Sequence, residues 1–75
     1  MTEAMWKVLY CLLNAKLSDR THFRAIWQLE DEIGLKLAGG GVPDGDTAIG
    51  QLLEMGLIEE VPNLGCRYQV VVKNS

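Results

Sequence analysis

Gly39, Gly40 and Gly41 stand in a row, followed by Val42, Pro43 and the triplet Asp44, Gly45, Asp46. Glycine loses the most conformational freedom on ordering and proline removes a backbone donor, so no helix or strand runs through such a stretch. The break divides the 75-residue chain into two parts, which must be joined through a loop. A chain of this length forms a single domain, residues 1–75. Such a domain buries only roughly 60% of the surface that its unfolded chain exposes. A second copy is the expected source of further burial, and a homodimer is the expected state.

Ahead of the break the pattern is helical. Over residues 2–16, Met5, Val8, Leu9 and Leu12 recur at i, i+3, i+4 and i+7, which places them on one helical face. Trp6, Tyr10 and Leu13 form a second apolar strip on the same segment. A helix apolar on two sides packs against more than one neighbour. These three residues are the expected dimer interface. A second helix is expected over residues 21–33, with Ser18, Asp19 and Thr21 as possible N-caps. Phe23, Ile26, Trp27 and Ile33 would share its inner face, with Leu29 beside it, and Gly34 would stop it. Leu35 and Leu37 would keep the following chain near the core.

Beyond the break, Asp44 or Asp46 would cap a short third helix that points Ile49, Leu52 and Leu53 inward and ends at Gly56. Residues 57–61 and 66–72 are rich in β-branched and aromatic side chains, and Pro62, Asn63 and Gly65 lie between them. That is the pattern of a hairpin. It would lay Leu57, Val61, Tyr68 and Val70 on the helices, and packing there would supply the stability that a lone hairpin lacks. The expected class is α+β, three helices followed by a two-stranded hairpin.

The motifs exclude more chemistry than they suggest. "GGVPDGDT" (residues 40–47) is a near miss to a phosphate-binding loop, but Asp46 occupies the lysine position and would repel the phosphates. Asp44 and Asp46 start a calcium-loop pattern that Ala48 and Ile49 do not continue. Cys11 and Cys66 match no metal-binding spacing and read as buried free thiols. His22 is the single histidine and has no evident nucleophile beside it. Glu30, Asp31 and Glu32 point in different directions on a helix and read as a solvated face. No catalytic group, metal or cofactor is expected. The opening "MTEAMWK" lacks a signal-peptide pattern. The longest uncharged apolar run, residues 8–15, is too short to cross a bilayer, so a cytoplasmic protein without membrane contact is expected.

The segment "DTAIGQLLEMGLIEEVPNLGCRYQVV" resembles the winged helix-turn-helix family. Leu52, Gly56, Leu57, Ile58 and Glu59 fit the end of that family's recognition helix, and Arg67, Tyr68, Val70 and Val72 fit its second wing strand. The likeness covers residues 21–72, with the first helix as the family's usual first helix. It implies a three-helix domain with a C-terminal wing and, as function, binding of double-stranded DNA by a transcriptional regulator, the third helix entering the major groove. On that reading Thr47 and Gln51 face base edges, while Arg20, His22, Arg24 and Arg67 approach phosphates.

Charge opens an alternative. The chain carries 7 basic and 10 acidic residues, a net −3, whereas phosphate affinity comes mainly from Lys and Arg. Between Ala38 and Cys66 there is no cation, while Asp44, Asp46, Glu54, Glu59 and Glu60 fall there, a local charge of −5. Those five residues could instead meet a basic protein surface. The domain would then be an adaptor, or a small inhibitor from a phage or mobile element.

Overall fold

The structure, a computed structural model, describes residues 1–18, 20–37 and 47–71. In chain order it contains α1 (Glu3–Ser18), β1 (Arg24–Ala25), α2 (Ile26–Ile33), α3 (Ala48–Glu54), β2 (Ile58–Glu60) and β3 (Arg67–Val70). The strands form one antiparallel sheet in the order β1-β3-β2. Over the described residues the chain is a small α+β domain with three helices and a three-stranded sheet.

Thr2 starts α1 by accepting the Met5 N–H on its hydroxyl at 3.2 Å. Met5, Val8, Leu12 and Ala15 are its buried face and Leu9 is partly buried. Met5, Val8 and Leu12 meet Ile26 and Leu29 of α2, Ile49 and Leu52 of α3, and Ile58 and Tyr68 of the sheet in one core. Trp6, Tyr10 and Leu13 are exposed.

The second helix is shorter than its sequence pattern indicates. Residues 21–23 are not helical, and Arg24 and Ala25 instead pair with Tyr68 and Arg67 of β3. Two residues are too few to show a period-2 pattern, which is why this third strand is invisible in the sequence. The cap is therefore Ala25, not Ser18 or Thr21; Asp19 lies outside the described residues. Ala25 has no side-chain acceptor, so only half of a capping box forms: its N–H donates to Gln28 Oε1 at 2.8 Å. The Ile26 N–H donates to the Cys66 carbonyl at 2.8 Å, tying the start of α2 to the sheet. Ile26 and Leu29 are buried, whereas Trp27 is exposed. Gly34 ends the helix at φ +78°, as expected.

After α2, the Leu37 N–H donates to Glu30 Oε2 at 2.9 Å, which holds the Leu37 side chain in the core. Glu30 is thus not merely solvated; it fixes the course of the chain leaving the helix.

Thr47, rather than Asp44 or Asp46, caps α3: its hydroxyl accepts the Gly50 N–H at 3.0 Å. Both aspartates lie outside the described residues. At the other end Gly56 (φ +74°) donates its N–H to Leu53 and Leu57 donates to Leu52, both at 3.1 Å. These two bonds make a Schellman motif, which reverses the chain into β2. Because Leu57 is used in that motif, the inward residue of β2 is Ile58, and Leu57 and Val61 are only half-buried. This is a one-residue shift from the sequence expectation, and such a shift exchanges the faces of a strand. Tyr68 is buried as expected, and Val70 is partly buried.

The hairpin turn uses Pro62 followed by Asn63 at φ +67°, with the Leu64 N–H donating to the Val61 carbonyl at 3.2 Å. That residue order is the signature of a type II turn.

Candidate functional site

The surface of interest joins the outer side of α3 to the hairpin. Gln51 is half-exposed and Glu54 and Met55 are exposed. These three line a groove of about 530 Å³ with Met1, Thr2 and Met5 at the start of α1. Gly50 is buried, so it is not one of the outward positions of α3. Thr47 is half-buried and its hydroxyl is engaged in the cap, which removes an acceptor that base contact would use. On the hairpin, Glu59 and Glu60 are exposed, and Gln69 Nε2 donates to Glu59 Oε1 at 2.8 Å on the outer face.

The cations expected at phosphates do not converge on that surface. Arg24 sits in β1, its Nε 3.4 Å from Glu32 Oε1, and it donates from Nη1 to the Phe23 carbonyl at 2.9 Å. Arg67 lies over the Trp27 ring, 5.1 Å from its centroid, and donates to the Gly65 carbonyl at 3.0 Å. That stacking explains how an exposed Trp27 is accommodated, since a guanidinium over an indole face is favourable. His22 is not at the start of a helix. It has φ +62°, and its Nδ1 donates to the Lys16 carbonyl at 2.9 Å, closing the last turn of α1. Arg20 is exposed.

A second concavity runs between α1 and α2. It has a volume of about 600 Å³ and is lined by Glu3, Trp6, Tyr10, Cys11, Glu32 and Ile33, among others. Neither cysteine is in a disulfide, and both are half-buried rather than buried. Burial, and then the neighbouring Glu32 carboxylate, push the Cys11 thiol above its ordinary pKa. A thiol shifted that way is a poor nucleophile. Burial pushes Tyr68 up to about 12, and its hydroxyl has no hydrogen-bond partner among the described residues. Among the described residues no group of three or more His, Cys, Asp or Glu could hold a metal ion. No described helix is long and apolar enough to cross a membrane.

The third strand and the Trp27–Arg67 stack are the features that sequence reasoning missed. The stack joins residues forty positions apart and leaves no local pattern. Fold and surface together define a small α+β domain with exposed glutamates on α3 and β2. No family model matches the chain, and no curated protein or solved structure matches it either.

Proposed function

We propose that the chain is a winged-helix domain that binds double-stranded DNA as a regulator, with α3 and the β2–β3 hairpin as its contact surface. The observation that carries the reading is the placement of the hairpin. It follows α3 directly through the Gly56 reversal and is held against the helices by β1 and by the Cys66–Ile26 hydrogen bond. A helix and an adjoining hairpin fixed as one unit is the arrangement that reads a groove and touches the flanking backbone. The functional step rests on fold analogy. In this scheme Gln51 is the base-reading residue and the exposed Arg20 a phosphate contact, while Arg24 and Arg67 would have to exchange Glu32 and Trp27 for phosphates.

A polarisation titration against random duplex at low salt tests this. With three cations engaged, the logarithm of the binding constant should fall against log salt with a slope of about −3. Gln51→Ala should relax sequence preference, while Arg20→Ala with Arg24→Ala should weaken binding to all sequences alike. Absence of binding at tens of micromolar would remove the reading.

One observation favours a protein partner instead. Glu54, Glu59 and Glu60 are exposed on α3 and β2, and no cation lies between Ala38 and Cys66. A basic protein surface complements such a face, whereas a phosphate backbone does not. A pulldown in which Glu54→Lys with Glu59→Lys leaves partner recovery unchanged would count against this second reading.

A further inference from the structure

We propose that the exposed strip of α1 is the contact between two copies of this chain, packed antiparallel about a two-fold axis level with the Cys11–Leu12 step. The inference is independent of what α3 binds.

The strip comprises Trp6, Tyr10, Leu13 and Leu17, which are 59%, 68%, 41% and 76% exposed. Their successive spacings of four, three and four residues average about 3.7, close to the 3.6-residue helical turn, so the four side chains share one stripe of the helix. The core requirement of α1 is already met by Met5, Val8, Leu12 and Ala15. The strip is therefore additional to what the fold needs. Its four positions carry no charge, so covering it buries no ion.

Area supports a second copy as the occupant. Four side chains exposed to this degree present on the order of 500 Å² of mainly apolar surface, at the upper end of the largest patch on ordinary monomers. Two copies face to face would bury on the order of 1,000 Å² from these residues alone, the level at which an interface becomes specific. Flanking residues would add to it.

Shape selects the orientation. The two aromatics lie in the first half of the strip and the two leucines in the second. A parallel pair would set Trp6 against Trp6 and Leu17 against Leu17, too thick at one end and too thin at the other. In the antiparallel pair Trp6 meets the partner's Leu17 and Tyr10 meets the partner's Leu13, and each pair occurs twice, as a two-fold contact requires. Large then always faces small. The same register brings the partner's Leu13 and the partner's Leu17 level with the groove of about 600 Å³ that Trp6, Tyr10, Cys11 and Ile33 line beside the strip. Glu3, Lys7 and Glu32 complete the lining, and the side formed by Trp6, Tyr10, Cys11 and Ile33 offers the apolar recess for the opposing leucines.

Sedimentation equilibrium on the full chain tests the proposal. A dimer is expected at micromolar concentrations, and a monomer at the highest soluble concentration would overturn it. Leu13→Glu, beside the axis, should weaken association at least about 30-fold, as loss of a central contact does, and Leu17→Lys, at the rim, should weaken it by less. Both should leave the helical circular dichroism unchanged, since neither side chain is in the core. A folded Leu13→Glu variant that remains dimeric would overturn the assignment of the surface. Orientation is read by disulfide formation in a Cys11→Ser, Cys66→Ser background that retains the wild-type mass. Chains carrying Tyr10→Cys and Leu13→Cys, when mixed, should form the mixed disulfide faster than either chain cross-links to itself. Faster self-linking would overturn the antiparallel register.

Discussion

On α1, Met5, Val8, Leu12 and Ala15 are buried, while Trp6, Tyr10, Leu13 and Leu17 on the same helix face solvent. The exposed strip is the more hydrophobic of the two by side-chain size. What separates them is what packs opposite: α2, α3 and β3 all contact α1, and the core they build closes over the first face only. The contrast teaches that apolar content decides that a face will be covered, whereas the geometry of the neighbours decides by what. One face is completed by the chain itself; the other stays exposed on the single chain, and the proposed second copy would cover it.

The strongest way to break this contrast is to exchange truncations between the faces. Leu12→Ala removes a fully buried side chain and should cost about 2–5 kcal/mol. In a domain this small that abolishes the cooperative denaturation transition or brings it to very low denaturant. Leu13→Ala, one residue on, should change the stability of the monomer by no more than about 0.5 kcal/mol, measured by urea denaturation below the dimer concentration range. Equal losses at the two positions would show that the strip is part of the core after all.

The buried face exists only while α3 is held against it, so the ends of α3 offer the next test. Gly56 has φ +74° with open space around its α-carbon, so Gly56→Ala adds no clash and isolates the cost of a left-handed backbone. It should lower stability by about 1–2 kcal/mol. Thr47→Ala, which removes the cap on the Gly50 N–H, should cost about 1 kcal/mol. Neither substitution should alter association through α1, which separates the two faces by measurement.

The smallest effect is expected at Tyr68, the one buried side chain of the described core with an unpartnered polar atom. Tyr68→Phe should cost nothing or add about 1 kcal/mol, because an unsatisfied buried hydroxyl opposes folding. A clear loss would show that the hydroxyl is bonded by a residue outside the described segments. pH gives a second readout. The folded phenol titrates at about 12, above its ordinary value near 10. The folded state therefore keeps the proton that the unfolded chain releases, and stability falls as pH rises from 10 towards 12. Tyr68→Phe should flatten that part of the pH profile.

Much of the architecture is legible in the residues. The periodicity of Met5, Val8 and Leu12 marks α1, Gly34 and Gly56 mark two helix ends, and Pro62–Asn63 marks the hairpin turn. Each of these rests on local conformational preference, which a sequence carries directly. The misses have a common cause. β1, the start of α2 at Ile26, the inward side of β2 and the exposure of Trp27 all depend on pairing or stacking between distant residues. Local propensity favoured a helix beginning near Thr21; the hydrogen bonds of Arg24 and Ala25 to β3 overruled it. The candidate DNA contacts were legible as residue types but not as a constellation. Tertiary contacts turned Arg24 to Glu32, Arg67 to Trp27 and His22 to the end of α1.

By itself, then, the sequence determined the class: helices followed by a hairpin, with Gly34 and Gly56 at helix ends where a left-handed backbone continues the chain. It also determined the charge of the middle segment, which no folding can change. The tertiary structure alone decided where α2 begins, which residue of β2 faces the core, and where Arg24 and Arg67 point. Those outcomes are set by contacts between residues far apart in the chain, and their energies do not exist until the elements meet.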